Sequence, residues 1–67
     1  MVEVRINGAS MTLEDNTSID SLIDSLGLSN KKIAIEINHQ IVPRSRYHST
    51  MLKNEDKIEI VTAVGGG

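Results

Sequence analysis

TSIDSLIDSLGL, residues 17–28, changes the period of the chain, and the fold follows from that change. Ile19, Leu22, Ile23 and Leu26 fall at i, i+3, i+4 and i+7, a single apolar stripe of an amphipathic helix. Thr17 with Asp20 fits a capping box and Ser18 is an equally good N-cap, so the first helical residue stays open. Gly27 supplies a positive-φ stop.

On both sides the spacing is that of strands. Upstream, Val2, Val4 and Ile6 alternate with Glu3 and Arg5, Asn7-Gly8 supplies a two-residue primed turn, and Ala9, Met11 and Leu13 alternate on the return. Asn7-Gly8 reads as turn chemistry and nothing more. Residues 14–16 are a polar connection to the helix. Downstream, Ile33, Ile35 and Ile37 form a third strand, and Asn38, His39 and Gln40 turn the chain into Ile41-Val42-Pro43, a short strand that proline confines to an edge or an end. RSRYHSTML, residues 44–52, has no clean period and reads as a loop or a short helical turn, with Met51 and Leu52 plugging the bottom of the core. After a turn at residues 54–56, Lys57 to Val64 is the last strand, with Ile58 and Ile60 facing in and Glu59 facing out. The order is ββαβββ, or ββαββ with a minor strand: an α+β domain in which a mixed sheet of four to five strands packs on one helix.

Composition limits what such a domain does. A chain of 67 residues supports one core, with a stability of roughly 3 to 10 kcal/mol at the usual value per residue. It has no cysteine, hence no disulfide, thiolate metal site or thiol nucleophile, and Tyr47 is its only aromatic residue. Seven basic residues, scattered along the chain, stand against nine acidic ones, which argues against a nucleic-acid partner. No apolar run reaches the ~20 residues of a membrane span, and MVEVRINGAS lacks the regions of a signal peptide, so a cytoplasmic protein without membrane contact is expected. His39 and His48 have no ligand-spaced neighbours and read as solvent-facing loop residues, with no metal bound. Asp20 and Asp24, one turn apart, read as solvated charge. Arg44 and Arg46 beside Tyr47 read as ordinary surface, with a small anion or partner patch as the alternative.

The last strand runs into Gly65, Gly66 and Gly67. Terminal glycines in a small domain are often a frayed end, but these directly follow a strand and carry none of the serines of a linker. NHQIVPRSRY at 38–47 followed by KNEDKIEIVTAVGGG at 53–67 resembles the ThiS sulfur-carrier family of thiamine thiazole synthesis, and the similarity in length and element order covers essentially the whole chain. That resemblance implies a ubiquitin-like β-grasp fold over residues 1–64, with first and last strands adjacent at the sheet centre, and a flexible tail at 65–67. It also implies a function without catalytic residues. The Gly67 carboxylate is adenylated at the expense of ATP by a ThiF-type partner and becomes a thiocarboxylate with sulfur from a sulfur-donating enzyme. The sulfur then passes to a ThiG-type thiazole synthase. The carrier itself binds no cofactor and is a monomer when free. Two alternatives are a MoaD-like small subunit of molybdopterin synthase and a β-grasp binding module with an incidental tail. AVGGG, with no Phe, favours the ThiS resemblance.

The chemistry of such a tail is consistent with its sequence. An α-carboxylate is ionised at neutral pH and a poor electrophile, so it must be activated before sulfur attacks. The activating site must be closed to water, and glycines without Cβ atoms thread a narrow channel. Ala63 to Gly67, fully extended, spans at most roughly 17 Å. Ordering each tail residue costs about 1 to 2 kcal/mol, so contacts from the folded body must supplement it. The outward residues Glu59 and Val61, with Ala63 and Val64 leading into the tail, are the candidate contacts.

Overall fold

The computed structural model describes residues 1–62. Five strands and one helix follow in the order β1 (Val2–Ile6), β2 (Ala9–Leu13), α1 (Ile19–Ser25), β3 (Ile33–Ile37), β4 (Gln40–Val42) and β5 (Lys57–Thr62), with a 3-10 turn at Arg44–Arg46. The sheet order is β2-β1-β5-β3-β4. β1 and β5 are parallel neighbours at its centre, and the remaining pairs are antiparallel. The adjacency of first and last strands implied by the resemblance is therefore observed. The last strand was expected to reach Val64; its final two residues lie outside the described residues, as do Gly65, Gly66 and Gly67.

Local chemistry sets the element ends. Ser18 is the N-cap of α1, its hydroxyl accepting the Ser21 N–H at 3.1 Å, while the Thr17 hydroxyl donates instead to the Glu14 carbonyl at 2.7 Å. The helix stops earlier than its apolar stripe. Leu26 is the C-cap, Gly27 follows at φ 74°, and N–H groups of Gly27 and Leu28 donate to the carbonyls of Asp24 and Ile23, a Schellman ending. Both hairpins turn through two residues of positive φ: Asn7 (50°) and Gly8 (87°) in the first, Asn38 (52°) and His39 (71°) in the second. Gln40, expected in the turn, is the first residue of β4.

The stretch 43–52 has a task that its irregular pattern conceals. The Thr50 carbonyl accepts the Ile19 N–H at 3.0 Å and the Tyr47 carbonyl the Asp20 N–H at 3.1 Å, so this segment satisfies the orphan donors of the first helical turn. Tyr47, only 5% exposed, joins the core with Val4, Ile19, Leu22, Ile35 and Ile58. Leu52 does so as well at 3% exposure, but Met51, expected to plug the core beside it, is 42% exposed. Ser18 and Met51 form an antiparallel bridge, and the side chains of successive residues in such extended backbone point to opposite sides, so Leu52 alone points inward.

Candidate functional site

β5 carries the residues singled out at the sheet surface. Ile58 and Ile60 face α1, which places Glu59 and Val61 on the opposite, open face of the sheet, with Val61 62% exposed. Cross-strand register completes their surroundings. Ala34 lies opposite Val61, Glu36 opposite Glu59, and Ile41, 71% exposed, on the far side of Glu36. The result is an apolar rim of Val61, Ala34 and Ile41 around two carboxylates placed side by side. Like charges directly opposite on neighbouring strands oppose pairing. Among the described residues the one ion pair joins the Met1 amino group to Asp15, so neither glutamate has a cation within bonding distance there.

The flank of β5 that faces β1 is held in an unusual way. Registered pairing ends after Arg5↔Lys57 and Ile6↔Ile58, because the first hairpin turns away. The Asn7 N–H still donates to the Ile58 carbonyl at 2.9 Å. Its carboxamide then takes the place of the missing strand residue: Oδ1 accepts the Ile60 N–H at 2.7 Å and Nδ2 donates to the Ile60 carbonyl at 3.1 Å. Asn7 thus does more than turn the chain, contrary to the expectation from sequence. Asn–Gly is a turn signal whatever its side chain touches, and its partner lies 53 residues away.

The other candidates separate in space. Arg44 lies over the Tyr47 ring, 6.0 Å from its centroid, in a cation–π arrangement. Arg46 instead lines a surface concavity of about 530 Å³ with Ile37, Met51 and Lys53. Arg44 borders a different, smaller concavity with Asp20, Ile33 and Tyr47. The concavity at Arg46 lies toward the Ile58 end of β5, away from Thr62, since Ile37 pairs with Ile58. The carboxylate of Asp56 within it is already engaged, accepting the Lys53 N–H at 2.8 Å and the Asn38 Nδ2–H at 3.0 Å. His39, His48, Asp20 and Asp24 are exposed, and among the described residues no three His, Cys, Asp or Glu side chains converge on a point. No helix is long and apolar enough to cross a membrane among the residues described.

A five-stranded mixed sheet with parallel first and last strands at its centre and one covering helix defines a ubiquitin-like β-grasp domain. The crystal structure of thiamine biosynthesis protein ThiS from Geobacter metallireducens superimposes with a TM-score of 0.83, over 98% of this chain and 100% of that one, at 22% identity. Sequence narrows the class further. The model of the ThiS family matches residues 4–67, and the chain belongs to that family. The sulfur carrier protein ThiS of Bacillus subtilis is 38% identical over 65 residues, covering 96% of this chain and 98% of its own. A thiazole synthase of Paramagnetospirillum magneticum is 37% identical over 62 residues, 92% of this chain and only 19% of that much longer protein.

Proposed function

We propose that this protein is a sulfur carrier for formation of the thiamine thiazole ring, acting through the carboxylate of Gly67 and having no catalytic residue of its own. The observation that carries the reading is that the family match runs through residue 67 and so includes all three glycines. Similarity over nearly the full length of the Bacillus subtilis carrier supports it.

In this reading the Gly67 carboxylate attacks the α-phosphorus of ATP in a ThiF-type enzyme, releasing pyrophosphate and leaving an acyl adenylate. Sulfide-level sulfur from a donating enzyme then attacks the acyl carbon and AMP leaves, giving the thiocarboxylate. The activated carbon must stay dry until sulfur arrives, and Gly65 and Gly66 offer no Cβ to block a narrow channel. ATP is consumed in the partner's site, and the carrier holds no cofactor. Thiazole synthase is the acceptor, a reading favoured by the occurrence of a related segment within a thiazole synthase chain. Glu59 and Val61 contact the partners from the open face, with Ala63 and Val64 leading into the tail.

The test is intact-mass measurement after incubation with the adenylating enzyme, ATP and a sulfur source. The expected product carries sulfur in place of one carboxylate oxygen, and an unchanged mass would overturn the proposal. Gly66→Leu should fold normally and resist modification.

A further inference from the structure

We infer that Asn7 is a positioning residue for the tail: its carboxamide fixes the direction in which β5 delivers the chain to a partner enzyme. The inference rests on the carrier reading above and concerns a residue far from the tail in sequence.

The argument begins with an asymmetry about β5. On one flank β3 pairs with it as far as Ile33↔Thr62. On the other, β1 pairs only as far as Ile6↔Ile58, four residues short of Thr62. Two residues are needed to reverse the first hairpin, and the primed turn carries the β1 backbone away at that point. A strand held on one side only swings about that side. Ile60 is the last buried residue of β5 among those described, three residues before Ala63, so a swing there is passed on to whatever follows.

Asn7 removes that freedom. At φ 50° it occupies the left-handed region that asparagine tolerates, and from there its side chain reaches back to Ile60. A carboxamide has one acceptor and one donor side, as a peptide group does, and both are matched here, to the Ile60 N–H and C=O. No other side chain of this length does so. Aspartate keeps the acceptor but sets a second oxygen against the Ile60 carbonyl; glycine keeps the turn and leaves both Ile60 groups to water. These two replacements separate the clasp from the turn.

Placement of a reacting group within a fraction of an ångström governs rate far more than it governs stability. Loosening of the clasp should therefore appear in catalysis by the partner. The experiment compares the intact protein with Asn7→Gly, Asn7→Asp and an Ile23→Val control, a core change on α1 that lowers stability and leaves both Asn7–Ile60 hydrogen bonds in place. Each is assayed well below its unfolding temperature for amide exchange and for conversion by the adenylating enzyme. The expected result is faster exchange at Ile60 in both Asn7 variants, and a fall in kcat/KM of about tenfold. The control should match the wild type in kcat/KM, with its exchange raised no more than its loss of stability accounts for. Equal kcat/KM in wild type, Asn7→Gly and Asn7→Asp would overturn the positioning role and leave the carrier function intact. A fall shared by Ile23→Val would overturn it too, since general stability would then explain the loss. If the wild type itself is not converted, both readings fail together.

Discussion

The Asn38 carboxamide oxygen accepts the Lys57 N–H at 3.0 Å while the Asn38 N–H donates to the Lys57 carbonyl at 2.8 Å, so this turn residue closes a ring with the first residue of β5. Its Nδ2 also donates to Asp56 at 3.0 Å. Asn7 grips Ile60 from the other flank, and the central strand is thus held by the first turn residue of each hairpin. Asn38→Gly keeps the turn but removes the side-chain bonds, and should cost about 1 to 2 kcal/mol. Asn38→Val adds a β-branched side chain at φ 52° and should cost more. Urea unfolding of the two variants gives the comparison; equal losses would mean that the positive φ costs valine little, and no loss in Asn38→Gly would mean that the carboxamide contributes little.

His39, the second turn residue, is held at φ 71°. Glycine adopts that region without a Cβ penalty, though it gains freedom in the unfolded chain. Relief of the left-handed backbone should outweigh the entropy, and His39→Gly should raise stability by about 0.5 kcal/mol. A lower urea midpoint would contradict this.

How much of this was legible in the sequence depends on the distance over which each feature acts. The stripe Ile19, Leu22, Ile23, the alternation in β1, β3 and β5, and the stop at Gly27 are set by neighbours in the chain, and all were readable. The alternation in IAIEI also places Ala34 and Glu36 on one face, yet their meeting with Val61 and Glu59 depends on a register that no local pattern fixes. The same holds for Tyr47 and Thr50, whose carbonyls meet the helix start through a segment without period. Strand order came only from resemblance. The two asparagine clasps were missed because Asn at a turn is fully accounted for by its backbone, and nothing local marks the side chain as used twice.

Ser18 and Thr17 were equal candidates for the cap, and the structure separates them. The Ser18 hydroxyl meets the Ser21 N–H and the Ser21 hydroxyl, both at 3.1 Å, in a nearly buried position. Ser18→Ala should therefore destabilise by about 1 kcal/mol. Thr17→Ala loses only a bond to a loop carbonyl in an exposed setting and should cost half that or less. Thermal unfolding ranks them, and a larger loss at Thr17 would reverse the assignment.

Leu52 and Met51 provide a sharper contrast. With Leu52 almost fully buried, Leu52→Ala should cost about 2 to 5 kcal/mol, comparable with the whole stability expected of so small a domain. A largely unfolded variant at 37 °C is the expected outcome, seen as collapse of amide proton dispersion in the NMR spectrum. Met51→Ala should stay folded and lose under about 1 kcal/mol. Similar losses at both positions would show that the bridge to Ser18 does not set which side chain enters the core.

Glu36 and Glu59 stand opposite each other on the neighbouring strands β3 and β5, of which β5 precedes the candidate tail in sequence. Neither has an ion-pair partner among the described residues, so their repulsion is uncompensated by a cation within bonding distance there. Replacing either by glutamine retains size and removes the like-charge contact, and should stabilise the fold by about 0.2 to 1 kcal/mol. The sign of the salt response follows. Added salt screens the repulsion, so it should stabilise the wild type more than Glu36→Gln or Glu59→Gln, and the gain should shrink toward 1 M. If the open face docks partner enzymes, the two substitutions should also raise KM for adenylation while leaving kcat near the wild-type value, because charge on the docking surface acts mainly on encounter. A variant that is more stable and equally well bound would mean that the paired carboxylates serve no partner; one less stable than the wild type would mean that their cross-strand contact is not repulsive at all.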